Sequence, residues 1–153
     1  MTNLIAKAKA FNGEHHWIEK YVQRANKIKK FVEEQPEGTT FDRALSKPYA
    51  LQVGGHTVSF DIDVCINMNG IAHASYIHYG DEPGVKPDQA KLYTFLRLLQ
   101  TTLDAHNVSH RGHWLRAKTG RGYSLANVEP LTEEIWQAEL ATVIAYLNSS
   151  EAQ

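Results

Sequence analysis

Asp61 and Asp63 stand two residues apart in a stretch that alternates polar and apolar side chains from 57 to 68. On a β-strand that spacing sends both carboxylates to one side. Two dipeptides flank the stretch, Gly54-Gly55 before it and Asn69-Gly70 after it. Both suit the positive φ of a two-residue hairpin turn, and such a turn fixes the register. Counting outward from Asn69-Gly70 places Tyr76 opposite Asp63 and His78 opposite Asp61. Two carboxylates with an imidazole and a phenol suit a divalent metal or general acid–base work. The enzyme this would make is a small metal- or His-dependent hydrolase of a phosphorylated substrate, with Asp61, Asp63, His78 and Tyr76 as its catalytic set. The same residues meet a plainer demand. A half-buried strand turns polar side chains to water, and Asp opposite His is a favourable cross-strand pair.

A second group lies between 106 and 123. His106, His110 and His113 are close in sequence, but no Cys or HExxH frame accompanies them, so no metal site is expected. Arg111, Arg116, Lys118 and Arg121 are interleaved with Trp114 and Tyr123, and Gly120 and Gly122 open the backbone. Cations supply charge to phosphates, aromatic rings stack on unpaired bases, and glycines let N–H groups approach an anion. Cys65 has no His base beside it in the expected register, which argues against a thiol nucleophile. There is no Walker loop, no GxGxxG and no GxSxG. No cofactor is implied.

Charge sharpens the second group. The 153 residues carry a net charge of −1, distributed in blocks. Residues 1–30 carry seven Lys/Arg against two acids, and residues 96–127 carry five against one. Residues 31–95 and 128–153 are net acidic. The two basic blocks either cancel against the acids on the folded surface or converge into one patch. Convergence would join Lys20, Arg24 and Lys27 to Arg111, Trp114, Arg116, Lys118, Arg121 and Tyr123 as a ligand-binding surface. The function expected first is therefore a small binding module whose partner is a nucleic acid, a nucleotide or another protein. A compact, motif-poor chain of this kind is in keeping with an accessory or inhibitor protein of a phage or mobile element.

These residues need elements to position them. Apolar residues at spacings of three and four predict helices over 13–34, 87–106 and 132–148. The first carries Lys20, Arg24 and Lys27 away from its apolar stripe. Pro87 is placed as the first residue of the second, and Thr132 as the cap of the third. The loop 35–48 precedes the strands, with Thr40 as a candidate cap for a short helical turn. The turns at 54–55 and 69–70 predict a three-stranded antiparallel meander over 49–53, 56–68 and 71–79. Two further fragments near 114–115 and 123–125 would extend the sheet to four or five strands. The expected class is α+β, one domain over 1–153, with helices packed on the sheet's apolar face. A single cysteine precludes an internal disulfide, and no run approaches the ~20 apolar residues of a membrane span. No membrane is expected as a partner, and the expected compartment is the cytoplasm.

Overall fold

The structure is a computed structural model that describes residues 15–42, 45, 47–79 and 88–151. The expectation for Pro87 lies outside them. Among the described residues three helices and seven strands follow in the order α1 (His15–Glu33), β1 (Thr40–Asp42), β2 (Pro48–Val53), β3 (His56–Asp61), β4 (Val64–Met68), β5 (Ile71–His78), α2 (Gln89–Ala105), β6 (Arg111–Arg116), β7 (Arg121–Ser124) and α3 (Glu133–Glu151). The α+β class holds. Among the described residues no helix is long and apolar enough to cross a membrane.

The three-stranded meander is not what forms. The alternating run 57–68 is two strands in two sheets, interrupted at Ile62 and Asp63. β2 and β3 make a separate two-stranded hairpin, with Val53 opposite His56, Leu51 opposite Val58 and Tyr49 opposite Phe60, as the Gly54-Gly55 turn dictates. β4 and β5 pair about Asn69-Gly70, with Met68 opposite Ile71. All four turn residues have positive φ. Asp61 consequently pairs with Pro48 of β2, and the expected Asp61–His78 register does not exist.

The second sheet has five strands in the order β1-β4-β5-β6-β7. Thr40 is the first residue of its edge strand, not a helix cap. The two late fragments form the β6–β7 hairpin, and β6 lies parallel to β5 with α2 as the crossover. Parallel neighbours need such a connection, and α2 covers the face it crosses.

Both faces of this sheet are therefore packed, where one apolar face was expected. On one side Ile28 and Phe31 of α1 meet Ile66, Leu115 and Ala117. On the other, Leu99 and Leu103 of α2 meet Cys65 and Ala74, together with Tyr49, Phe60 and Ile62. Farther along that side, Leu92 and Leu96 meet Trp114 and Val128. Gln100 ties α2 to the start of β6, accepting from Gly112 N–H at 2.8 Å and donating to His110 O at 3.1 Å. Asp88 caps α2 and accepts from Lys91 N–H. Thr132 caps α3, its hydroxyl accepting from Ile135 N–H at 3.3 Å.

The third helix is an outer layer. Trp136 is its buried anchor, set edge-on to Tyr93 with Arg97 of α2 4.2 Å above its ring. A β-carbon on Gly54 would sit 2.8 Å from the Ile144 side chain, so the β2–β3 turn presses directly on α3. His56 Nε2 meets Asn148 Oδ1 at 2.6 Å in the same seam.

Candidate functional site

Asp63 sits where β4 begins. Its N–H donates to Ser75 O at 2.9 Å, and its Oδ2 accepts from Ile77 N–H at 2.6 Å. The carboxylate thus occupies the ladder position that the chain vacated when it turned away to β3. Burial raises the Asp63 pKa above the usual carboxylate range; the Ile77 hydrogen bond opposes this, and the charge of Asp61 adds to it. Tyr76 and His78 lie on the α2 side of the sheet. Tyr76 packs on Phe95, and His78 stacks on Trp114 with centroids 5.0 Å apart. Asp61 is in the other sheet. Among the described residues no group of three His, Cys, Asp or Glu side chains is placed to hold a metal ion.

The histidines of the second group also part company. His106 Nε2 lies 2.8 Å from Ala50 O, with its ring edge-on to Tyr49. His110 lines an open depression at the start of β6, together with Arg111 and Asp104. His113 points into the α1 side of the sheet and is 3% exposed. Its Nδ1 is 2.6 Å from the fully buried Ser75 Oγ, and its ring is 5.5 Å from that of His73. Gly122 passes so close to His113 Nε2 that a side chain there would collide with the imidazole. Burial, reinforced by the neighbouring His73, holds the His113 pKa down at about 3. The imidazole is therefore neutral at physiological pH. Serine and histidine in hydrogen-bond contact resemble a nucleophile with its base, but both are sealed beneath α1. The pairing was not legible in the sequence, because it depends on the β5–β6 register that places Ser75 beside His113.

The basic residues sort into three places. Arg116 is 0% exposed and Trp114 is 8% exposed, so both belong to the interior and not to a ligand-binding face. Tyr123 is half-buried and packs on Trp114 with centroids 5.8 Å apart. Arg111 lies at the opposite end of β6 from the β6–β7 turn, roughly 17 Å away along a strand rising ~3.3 Å per residue. Lys118 and Arg121 flank that turn and are exposed, as is Lys27 on α1. The turn and the helix touch. Gly120 has φ +70°, and a β-carbon on it would be 3.0 Å from Lys27 O. Only a glycine meets both demands, the left-handed backbone and the close carbonyl. Lys20 and Arg24 occupy helical positions in α1 seven and three residues before Lys27, on the same side of the helix. Their side chains lie outside the described residues. Lys29 and Lys30 are engaged along the helix with Glu33 and Glu34, at 3.9 and 3.7 Å.

No protein-family model matches this chain, and no curated protein matches it either.

Proposed function

We propose that the protein is a small binding module that takes up nucleic acid along a basic ridge, built from the Lys20–Arg24–Lys27 side of α1 and from Lys118 and Arg121 at the β6–β7 turn. The observation that carries the reading is the contact of Gly120 with the Lys27 carbonyl, which joins the two basic blocks of the sequence at one surface. Arg111, Arg116 and Trp114 are left out of the ridge, so the contact rests on charge and not on base stacking by the tryptophan. Among the described residues the ridge presents side-chain cations and no exposed aromatic ring, which favours phosphate contacts and little sequence preference.

Salt dependence tests this directly. Five phosphate contacts give a log–log slope of about −3.5 for a single strand and about −4.5 for a duplex, so affinity falls by roughly two to three orders of magnitude between ~50 and ~200 mM salt. Removing both Lys118 and Arg121 by alanine should weaken binding to all sequences alike and reduce the slope by about 1.4 to 1.8. Arg111→Ala, at the far end of β6, should leave the slope unchanged. Absence of binding to either oligonucleotide at low salt would remove the proposal and leave a protein or nucleotide partner as the reading to pursue.

A further inference from the structure

A cavity of about 350 Å³ lies between α1 and the five-stranded sheet, towards the β1 edge. Val64, Ile66, Ile77 and Leu115 line it from the sheet, and Ile28, Phe31 and Val32 line it from α1. Phe41 of β1 completes the lining at the edge. Phe41 and Ile66 are neighbours across the β1–β4 ladder, yet Phe41 is 40% exposed and Ile66 only 1%. Packing of α1 thus seals the apolar residues of β4 and β6 and leaves an apolar opening over β1. The volume falls within the ~300–1,000 Å³ of small-molecule sites.

The chemistry of the walls decides what fits. Apart from Asp42 and Asp63, the described residues of the lining are all apolar. Both acids are exposed, and the Asp63 carboxylate accepts from the Ile77 N–H, so they stay hydrated at the rim and single out no head group. A charged group placed among Val64, Ile66 and Leu115 would lose its water without gaining a hydrogen bond. A hydrocarbon group loses nothing there, and it also covers the open side of Phe41. Size follows from the volume: an apolar cavity of ~150 Å³ holds one benzene, so 350 Å³ holds about fourteen heavy atoms at the same density. We propose that this cavity binds one small neutral hydrophobic molecule, an alkylated single ring or a fused pair of rings, lying between α1 and the sheet against Phe41. The inference does not rest on the nucleic-acid reading, because Lys27 faces solvent from α1 and the cavity lies beneath the helix.

Four probes test it: toluene, butylbenzene, 4-phenylbutylamine and 4-phenylbutyrate. They are titrated into the full chain near neutral pH and followed by chemical shift changes of the Ile, Leu and Val methyl groups. Shifts should gather at Ile28, Val32, Ile66 and Leu115 and spare Leu99 and Leu103, which pack on the other face of the sheet. Butylbenzene should bind about sixtyfold more tightly than toluene, about fourfold for each added methylene. Neither charged probe should bind more tightly than butylbenzene. Val32→Trp fills the cavity and should abolish binding, with its fold checked by circular dichroism. Phe41→Ala changes an exposed edge residue and should weaken butylbenzene about two- to tenfold, the worth of one aromatic contact. Tyr146→Ala, on the outer helix, should change nothing. The proposal is overturned by an absence of shifts for every probe, by equal affinity for toluene and butylbenzene, or by tighter binding of a charged probe. Undiminished binding in Phe41→Ala or in a folded Val32→Trp would overturn it as well.

Discussion

Acidification should loosen this protein through His113, and the size of the effect follows from its surroundings. The imidazole titrates ordinarily at 6.5 and, buried between α1 and the sheet, is held at about 3. A base whose folded pKa lies below its unfolded one is bound by protons first in the unfolded chain. Its stability contribution is intact above 6.5 and is lost as the pH falls from there towards 3. At about 1.4 kcal/mol per pH unit the ceiling is about 5 kcal/mol, and near pH 5 the loss is about 2 kcal/mol. His73 acts in the same direction, its pKa lowered chiefly by burial. Asp63 opposes them, because a raised carboxylate pKa favours the folded state as the pH falls. Urea unfolding near pH 7.5 and near pH 5, for the wild type and for His113→Asn, measures the difference. The asparagine places an amide near the Nδ1 position that meets Ser75, and it does not titrate. It should lower stability at neutral pH by leaving a void, yet lose about 2 kcal/mol less than the wild type between the two conditions. An identical loss in both proteins would refute the burial of a neutral His113, whatever their absolute stabilities.

Phe60 is a buried core residue of β3 edge-on to Phe95, so Phe60→Ala should lower the unfolding free energy by about 3–5 kcal/mol in the same urea assay. Asp63→Ala removes the acceptor of the Ile77 N–H from an exposed hydrogen bond and should cost about 1 kcal/mol, whereas Asp63→Asn keeps an oxygen there and should stay closer to wild type; hydrogen exchange at Ile77 distinguishes the two. Gly120→Ala forces a side chain into a left-handed turn against Lys27 O and should cost about 1–3 kcal/mol, with nucleic-acid affinity falling beyond that of an alanine placed at exposed Thr40. The Cys65 thiol is pushed up chiefly by burial, so alkylation of the native protein should be slow and should match the solvent-exposed rate only after unfolding.

The helices and the hairpin registers were legible because they are local. Periodicity near 3.6 gave α1, α2 and α3 to within a few residues, and Gly54-Gly55 fixed every pair from Val53–His56 to Tyr49–Phe60. The change of sheet at Ile62 and Asp63 was hidden by the same alternation that marked the strand. Alternation reports that neighbours point opposite ways, and this continues through the break, yet Phe60 and Ile62 end against Leu99 while Val64 and Ile66 end against α1. One signal was available. Val64, Cys65 and Ile66 are three consecutive residues without a charge, the composition of a strand covered on both sides. In β6 polar residue types concealed an interior position. Arg116 and His113 are both buried; an arginine is seldom so, which is why its residue type places Arg116 on the ligand-binding surface, while His113 reads only as a candidate metal ligand. For the proposed basic ridge the charge blocks are a sequence signal, whereas the nearness of Gly120 to the Lys27 carbonyl, which brings the β6–β7 turn against α1, depends on tertiary packing and has none. A cavity of about 350 Å³ beneath α1 has no sequence signal, because the described residues that line it come from α1, β1, β4, β5 and β6.

The parallel seam between β5 and β6 also sets an order of assembly. The hairpins β2–β3, β4–β5 and β6–β7 close over turns of a few residues, and such hairpins form in about 1–10 μs. Ser75 and His113, which meet across the seam, are 38 residues apart in the chain. At roughly 5–20 residues per second, a ribosome takes about 2–8 s to supply that interval. For that time β5 has a finished hairpin on one side and an open row of backbone donors and acceptors on the other. An open strand edge is a template for any extended segment nearby. The nascent chain is therefore most vulnerable to mispairing after β5 has left the ribosome and before β6 follows; arrival of β6 covers the open edge of β5, and β7 then completes the sheet.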